Sequence, residues 1–179
     1  MSLLPLHLLG SPVLRRRAAE VDAVDEAVRA LVADLAETMR FCKGIGLAAN
    51  QVGVARRVAV VQPENAPLHV LINPVVVERR GFDKAEEGCL SIPDIYGDVE
   101  RPERVVVEAA DETGVRRRIE ANGMLGRAMQ HEIDHLDGIL FLDRLGPFKR
   151  KFLLRQWEKS RKGRPGYIKE LDVEDAART

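Results

Sequence analysis

The sequence predicts an α+β domain, with small, mostly antiparallel sheets packed around a central helix. Three observations carry that expectation. Apolar residues recur at helical spacing near the start, and further helical stretches are expected around residue 130 and from Pro147; strand-like apolar runs fill the space between the first two; and the turn DETG (111–114) joins the last pair of runs. In chain order, SPVLRRRAAEV reads as a turn or a single helical turn. Asp25 is placed to cap a helix, and Val28, Leu31, Val32, Leu35, Ala36 and Met39 follow at the ~3.6-residue spacing of one apolar face. Lys43-Gly44 ends that helix. Strand-like runs stand at 57–61, 69–78, 104–110 and 115–121. Asn122-Gly123 opens the second helical stretch. A last helix is expected over about 147–162, with Pro147 in its first turn, where a missing N–H costs nothing.

A chain of 179 residues suits one domain, taken as 1–179, and can bury about two-thirds of its unfolded surface without help from disulfides. Basic and acidic residues cancel at 28 each, so no overall field draws the protein to a membrane or to nucleic acid, and specific DNA binding is not expected. Cys42 and Cys89 make no disulfide framework. In MSLLPLHLLGSPVLRRR the charges follow the apolar run instead of preceding it, the wrong order for a secretory signal. No apolar run approaches the ~18 residues of a membrane span, so a cytoplasmic protein is expected.

The stretch QHEIDHLDG (130–138) carries the chemistry. On a helix, residues four apart lie one above the other, so His131 and His135 can offer two imidazole nitrogens to one metal ion, with Glu132 turned to the side of the site. A metal so held lowers the pKa of its water toward ~7, and the glutamate can take the proton. Such a site needs a third protein ligand. Metzincins supply a histidine six residues further on, where this chain has Phe141, and are excluded. Glu158, 23 residues past His135, has the spacing of the gluzincin ligand, but it lies among Arg155, Lys159, Arg161 and Lys162 and reads better as one half of surface charge pairs. Cys89 in EEGCLSIP is the stronger candidate, because glycine and proline shape a backbone that can present a thiolate, and Cys/His/His is a recognised catalytic set. A further stretch, GIGLAANQVG (44–53), allows close backbone approach to a ligand. It lacks the lysine of a phosphate loop, and its Gln51 adds a neutral amide donor.

With these three stretches together the chain resembles the peptide deformylases, whose motifs G-x-G-L-A-A-x-Q, E-G-C-L-S and Q-H-E-x-D-H-L-x-G stand here in the same order as GIGLAANQ, EGCLS and QHEIDHLDG. GSPVLRRRA is similar to that family's opening segment, so the resemblance runs from about Leu4 to the last helix. It implies removal of the formyl group from the N-terminal formylmethionine of nascent chains, with release of formate. It implies Fe(II) as the usual metal, commonly replaced by zinc, nickel or cobalt in purified protein. By the same resemblance Cys89, His131 and His135 match the metal ligands and Glu132 the general acid/base. Gln51 and the Leu90 N–H match the pair that holds the developing oxyanion, and Gly46 a residue whose backbone meets the substrate. Glu87, Arg101 and Asp134 are candidates to steady the ligating histidines.

A slot for the methionine side chain follows from the helix face bearing His131. Met124, Ala128 and the stem of Arg127 lie seven, three and four residues back, and Ile45 of the glycine loop completes the wall. Gly126 stands where the family usually has alanine, at a cost of ~1 kcal/mol in helix propensity. Asn50 fills a variable position and is given no role. Tyr96 either flanks the bound peptide or packs on a strand. Cys42 reads as a small buried apolar residue, His7 and His69 as structural, and Trp157 as the anchor of the last helix. A metal-dependent amidase or peptidase of different substrate range is the alternative enzyme; an inactive binding module would have no use for the full set of ligands, glutamate and glutamine. Between Lys149 and Arg164 stand eight basic residues and one acidic, a net of +7. The basic helix, 148–164, is therefore a candidate for salt-sensitive attachment to ribosomal RNA, and the acidic segment 165–179 is expected to be a flexible tail.

Overall fold

The computed structural model describes residues 2–171. It contains an α+β arrangement whose largest sheet has five strands in the order β2-β3-β4-β7-β8, every pair antiparallel. These strands are β2 (Gly46–Ala48), β3 (Val58–Val61), β4 (His69–Arg80), β7 (Arg104–Ala110) and β8 (Arg116–Asn122). Strands β5 (Asp83–Cys89) and β6 (Ile92–Arg101) form a separate hairpin, and β1 (Leu6–His7) pairs with β9 (Ile168–Lys169). The helices are α1 (Glu26–Phe41), α2 (Gly123–Leu136) and α3 (Pro147–Ser160).

Helix α1 starts where the Asp25 carboxylate accepts the Val28 N–H at 2.8 Å, and it buries the expected stripe of Val28, Val32, Leu35, Ala36 and Met39. Lys43, with φ at 54°, turns the chain out of the helix, and the Gly44 N–H returns to the Met39 carbonyl. Helix α2 is the central one. Met129, Ile133 and Leu136 pack with Ala48, Ala59, Val61, Leu71, Val105 and Val107 of the sheet. Each large apolar side chain so buried stabilises the fold by ~1.5–3 kcal/mol. The small residues Gly126 and Ala128 let the helix sink between sheet and hairpin, so charged Arg127, Glu132 and Asp134 are buried with it. At its end Gly138 has φ of 75°, and a Cβ there would lie 2.6 Å from the Arg15 carbonyl oxygen. Trp157 and Leu153 anchor α3 against Ile95, Val99 and Leu142, as the lone tryptophan was expected to do.

Three features differ from the sequence reading. The β5–β6 hairpin was not anticipated. On β6 the inward positions Ile95, Gly97, Val99 and Arg101 alternate correctly, but one is glycine and one arginine, which hides the period of two. Strand β4 runs on to Arg80 through a bulge, where Asn73 at φ 50° uses its side chain to hold the N–H and carbonyl of Val21 at 2.9 and 2.8 Å. Finally, the segment from residue 165 begins not as a tail but as a strap. Ile168–Lys169 pairs with Leu6–His7, Tyr167 accepts the Leu8 N–H, and Leu171 packs on the apolar cluster around α1. Acidic composition concealed an apolar residue at every second position from Tyr167 to Leu171 except the central lysine. The rest of the expected tail, 172–179, lies outside the described residues.

Candidate metal centre

Two elements meet to make the centre. Helix α2 presents His131, Glu132 and His135 from one buried face, and the end of β5 presents Cys89 where its ladder with β6 slips at Gly88. The ligand atoms of Cys89, His131 and His135 lie within 4.8 Å of one another, close to the span one ion can bridge with bonds of ~2.3 Å to sulfur and ~2.1 Å to nitrogen. Cys89 Sγ is 3.2 Å from His135 Nε2. His131 donates its Nδ1–H to Glu87 at 3.0 Å, which leaves Nε2 free to face the other two ligands. Burial alone would disfavour a positive charge on His131, yet Cys89 and Glu87 hold its pKa well above the imidazole range. Burial, and then the charge of His131, push His135 well below that range. The convergence of the three ligand atoms suits one cation, and their soft thiolate and imidazole donors suit a divalent transition metal. Among the described residues these three form the only such group; Glu158 is exposed on α3 and takes no part.

Glu132 is 4% exposed, and Oε2 has no hydrogen-bond partner. Burial raises its pKa to about 7, the neighbouring positive charges of His131 and Arg101 only partly offsetting this. A carboxyl poised there can both take and return a proton near neutrality. Its side chain rests on Gly46, where a Cβ would come within 2.4 Å of Oε1. Gln51 is 1% exposed. Its Oε1 accepts the Ala48 N–H at 2.8 Å, which aims Nε2 at Ser91 Oγ (3.2 Å) and toward Cys89 Sγ (3.6 Å). Leu90 follows Cys89 directly, and its side chain covers Gly44.

Behind the ligands lies a buried ionic network. Glu87 accepts from Arg101 at 2.6 and 2.9 Å, from Arg127 at 2.8 Å and from His131. Burial would raise its pKa, but the bonds from His131 and Arg101 hold it far below the carboxylate range. Asp134 does not touch a histidine; it binds Arg101 at 2.8 Å and Arg144 at 2.6 Å, and so acts through Arg101. Arg127 is among the residues lining the cleft, and its guanidinium binds Asp83 and the Val99 carbonyl, tying the hairpin to α2. Asn50 was missed by the sequence reading. It is fully buried, and its amide donates to the His135 carbonyl, joining the Gln51 turn to the helix that carries the histidines. A polar side chain directly after the apolar GLAA was the available signal.

The centre opens into a cleft of about 1000 Å³. Ile45, Met124 and Ala128 line it, Ala128 buried and Met124 58% exposed at the rim, and Tyr96 lies across Gly88. His7 and His69 stand outside this cleft. Cys42 does not: it is half-buried in the cleft wall, where burial raises its thiol pKa against the pull of Lys169.

Comparison with known proteins agrees with this construction. The family described as polypeptide deformylase matches residues 3–151. The chain is 48% identical over 139 residues to a peptide deformylase of Dictyoglomus thermophilum, covering 78% of this chain and 90% of that one. It is 44% identical over 171 residues to a peptide deformylase of Rhizobium meliloti, covering 92% and 97%. Among solved structures, a peptide deformylase from Legionella pneumophila superposes with a TM-score of 0.86 at 37% identity, covering 92% of this chain and all of that one. One from Synechococcus elongatus in complex with actinonin gives 0.82 at 43% identity, covering 86% of each chain.

Proposed function

The chain belongs to the peptide deformylase family, a metal-dependent hydrolase that removes the formyl group from the N-termini of newly made polypeptides, and from that premise we propose how its residues divide the work. The observation that carries the reading is the convergence of Cys89, His131 and His135 beside a buried, otherwise unpartnered Glu132. Cys89, His131 and His135 hold the metal, which when bound polarises water and the formyl carbonyl. Glu132 takes a proton from the attacking water and returns it to the leaving amine, so that formyl amide and water become formate and a free amine. The Gln51 amide and the Leu90 N–H hold the formyl oxygen as it gains negative charge, where one such donor can be worth ~3 kcal/mol. The backbone at Gly46 meets the peptide, and Ile45, Met124, Ala128 and the stem of Arg127 wall the methionine side chain. Glu87 fixes the His131 tautomer, while Arg101 and Asp134 fix Glu87. Close packing around the centre rejects acyl groups larger than formyl by steric exclusion.

Fe(II) is the ion this reading assigns, with zinc, nickel or cobalt able to take its place. Metal analysis of protein purified without air is expected to find iron. Air or peroxide should then inactivate the enzyme and nickel substitution protect it, whereas an iron form indifferent to oxygen would contradict the assignment. Formate release from a formylmethionyl peptide is the direct assay. Comparable cleavage of unformylated peptides would instead favour an amidase or peptidase of other range. Glu132→Gln is expected to keep its metal and lose several orders of magnitude in rate.

Residues 1–179 are read as one catalytic domain acting in the cytoplasm; no helix among the described residues is long and apolar enough to cross a membrane. On α3, Lys149 pairs with Asp98 and Arg150 with Asp143, leaving Lys151, Arg155 and Lys159 exposed and available to an RNA surface. Ribosome binding through this helix would weaken with salt. Co-sedimentation should fall when these three residues are changed to glutamate; equal, salt-independent pelleting would dismiss it.

A further inference from the structure

Away from the metal ligands the cleft lining carries charges of both signs from different elements. The β5–β6 hairpin contributes Glu86 and Asp94; the end of α1 contributes Lys43 and β9 contributes Lys169. The remaining charged side chains of the lining are Glu132 in the centre and Glu87, Arg127 and His131 in the buried network. None of the four rim charges forms an ion pair with another described residue, so all four are free to meet a ligand.

The wall bearing Lys169 is held in place by a few specific contacts. The Leu8 N–H donates to the Tyr167 carbonyl at 2.7 Å, and Arg161 donates to the Gly166 carbonyl at 2.5 Å. Gly10, at φ of 113°, leaves the space that the Tyr167 ring fills; a Cβ would come within 2.3 Å of it. Strand periodicity then sets Tyr167, Lys169 and Leu171 on one face. Leu171 closes onto the apolar cluster that includes Leu6, Cys42 and Leu90, and both Lys169 and Leu171 line the cleft. The pull of Lys169 on the Cys42 thiol puts its charge beside the residue preceding Lys43.

We propose that the strap 166–171 is one wall of the peptide path, and that Lys169 with Lys43 selects formylated chains carrying an acidic side chain on the strap side. Glu86 and Asp94 favour a basic one on the hairpin side. An extended peptide turns successive side chains to opposite faces, so the two preferences fall at alternating positions after the methionine. This rests on the cleft being the site of the formylated peptide. Exposed charge pairs of this kind are worth roughly two- to fivefold each and are screened by salt.

The test uses the metal-loaded full chain and formyl-Met-Ala-Ala-Ala peptides in which Glu or Lys replaces the second, third or fourth residue. At one of these positions kcat/KM should favour Glu over Lys by roughly two- to fivefold at low salt, with the opposite sign at a neighbouring position and both fading in high salt. Lys169→Gln, which leaves Lys43 in place, should weaken the preference at the strap-facing position, and Lys169→Glu, whose charge opposes that of Lys43, should cancel it. Arg79→Glu, an equal change of charge outside the cleft, should leave the ratios unchanged. Flat ratios in the native enzyme, or a Lys169→Glu variant that slows every peptide equally, would overturn the proposal. Failure of the native enzyme on every formylated peptide would overturn it together with the reading it rests on, and the all-alanine parent peptide tells the two cases apart.

Discussion

Replacing Gly46 by alanine should displace the general acid/base without touching a metal ligand. The added Cβ would sit 2.4 Å from Glu132 Oε1 and 2.9 Å from its Cδ and Cγ, whereas ordinary contact begins near 3.4 Å. The carboxylate oxygen must therefore retreat by about 1 Å. Glu132 is 4% exposed and lines the cleft, so a displaced carboxylate shifts relative to the space in which the formyl group would lie. A misplacement of ~1 Å in a reacting group can cost on the order of 100-fold, which is ~2.7 kcal/mol of transition-state stabilisation. Formate release from a formylmethionyl peptide should fall by about that factor in kcat, with metal content unchanged, because Cys89, His131 and His135 are not displaced. Glu132→Gln sets the floor of the scale. A Gly46→Ala enzyme within threefold of the native rate would mean that the position of Glu132 is not what sets the rate. Loss of metal would mean that the loop supports the ligands rather than the carboxylate.

Three further outcomes are expected. Cys89→Ala should lose its metal while Cys42→Ala keeps metal and turnover, as measured by metal analysis after dialysis; equal loss from both would remove Cys89 from the ligand set. Glu87→Gln leaves two buried guanidinium groups and the His131 N–H without their shared carboxylate, so unfolding free energy should drop by ~3–5 kcal/mol in denaturant titration. A change under 1 kcal/mol would show that the network is already compensated from elsewhere. Gly138→Ala combines a left-handed backbone, at ~1–2 kcal/mol, with overlap on the Arg15 carbonyl, and should lower the melting temperature by several degrees; an unchanged melting curve would mean that this loop moves aside at no cost.

Much of the centre was legible because its chemistry demands particular side chains at particular spacings. His131, Glu132 and His135 follow from helical geometry alone, and Cys89 from the need for a third ligand on a shaped backbone. What stayed hidden was the support. Arg127 reads as a pocket wall from its place on the helix face, and only the fold shows its charged end crossing to Glu87 and Asp83. Asn50 looked interchangeable because its partner, the His135 carbonyl, is 85 residues away and is backbone, which no side-chain pattern announces. Helix α1 was found because it keeps one apolar face, and α3 because Pro147 marks its first turn. The hairpin was not, because its inward face is shared between core and active centre, so arginine and glycine interrupt the apolar alternation.

The pairing of Leu6–His7 with Ile168–Lys169 joins segments more than 160 residues apart by two residue pairs. Strands β5 and β6, by contrast, are neighbours in sequence, and α2 meets the sheet over its whole buried face. Contacts of such separation close a long loop for little local gain, so they form late and open early. The last wall of the cleft is then assembled after the metal ligands have come together. In the folded protein it should be the first to exchange its amide hydrogens, so the width of the peptide path can fluctuate on a faster clock than the chemistry at its end.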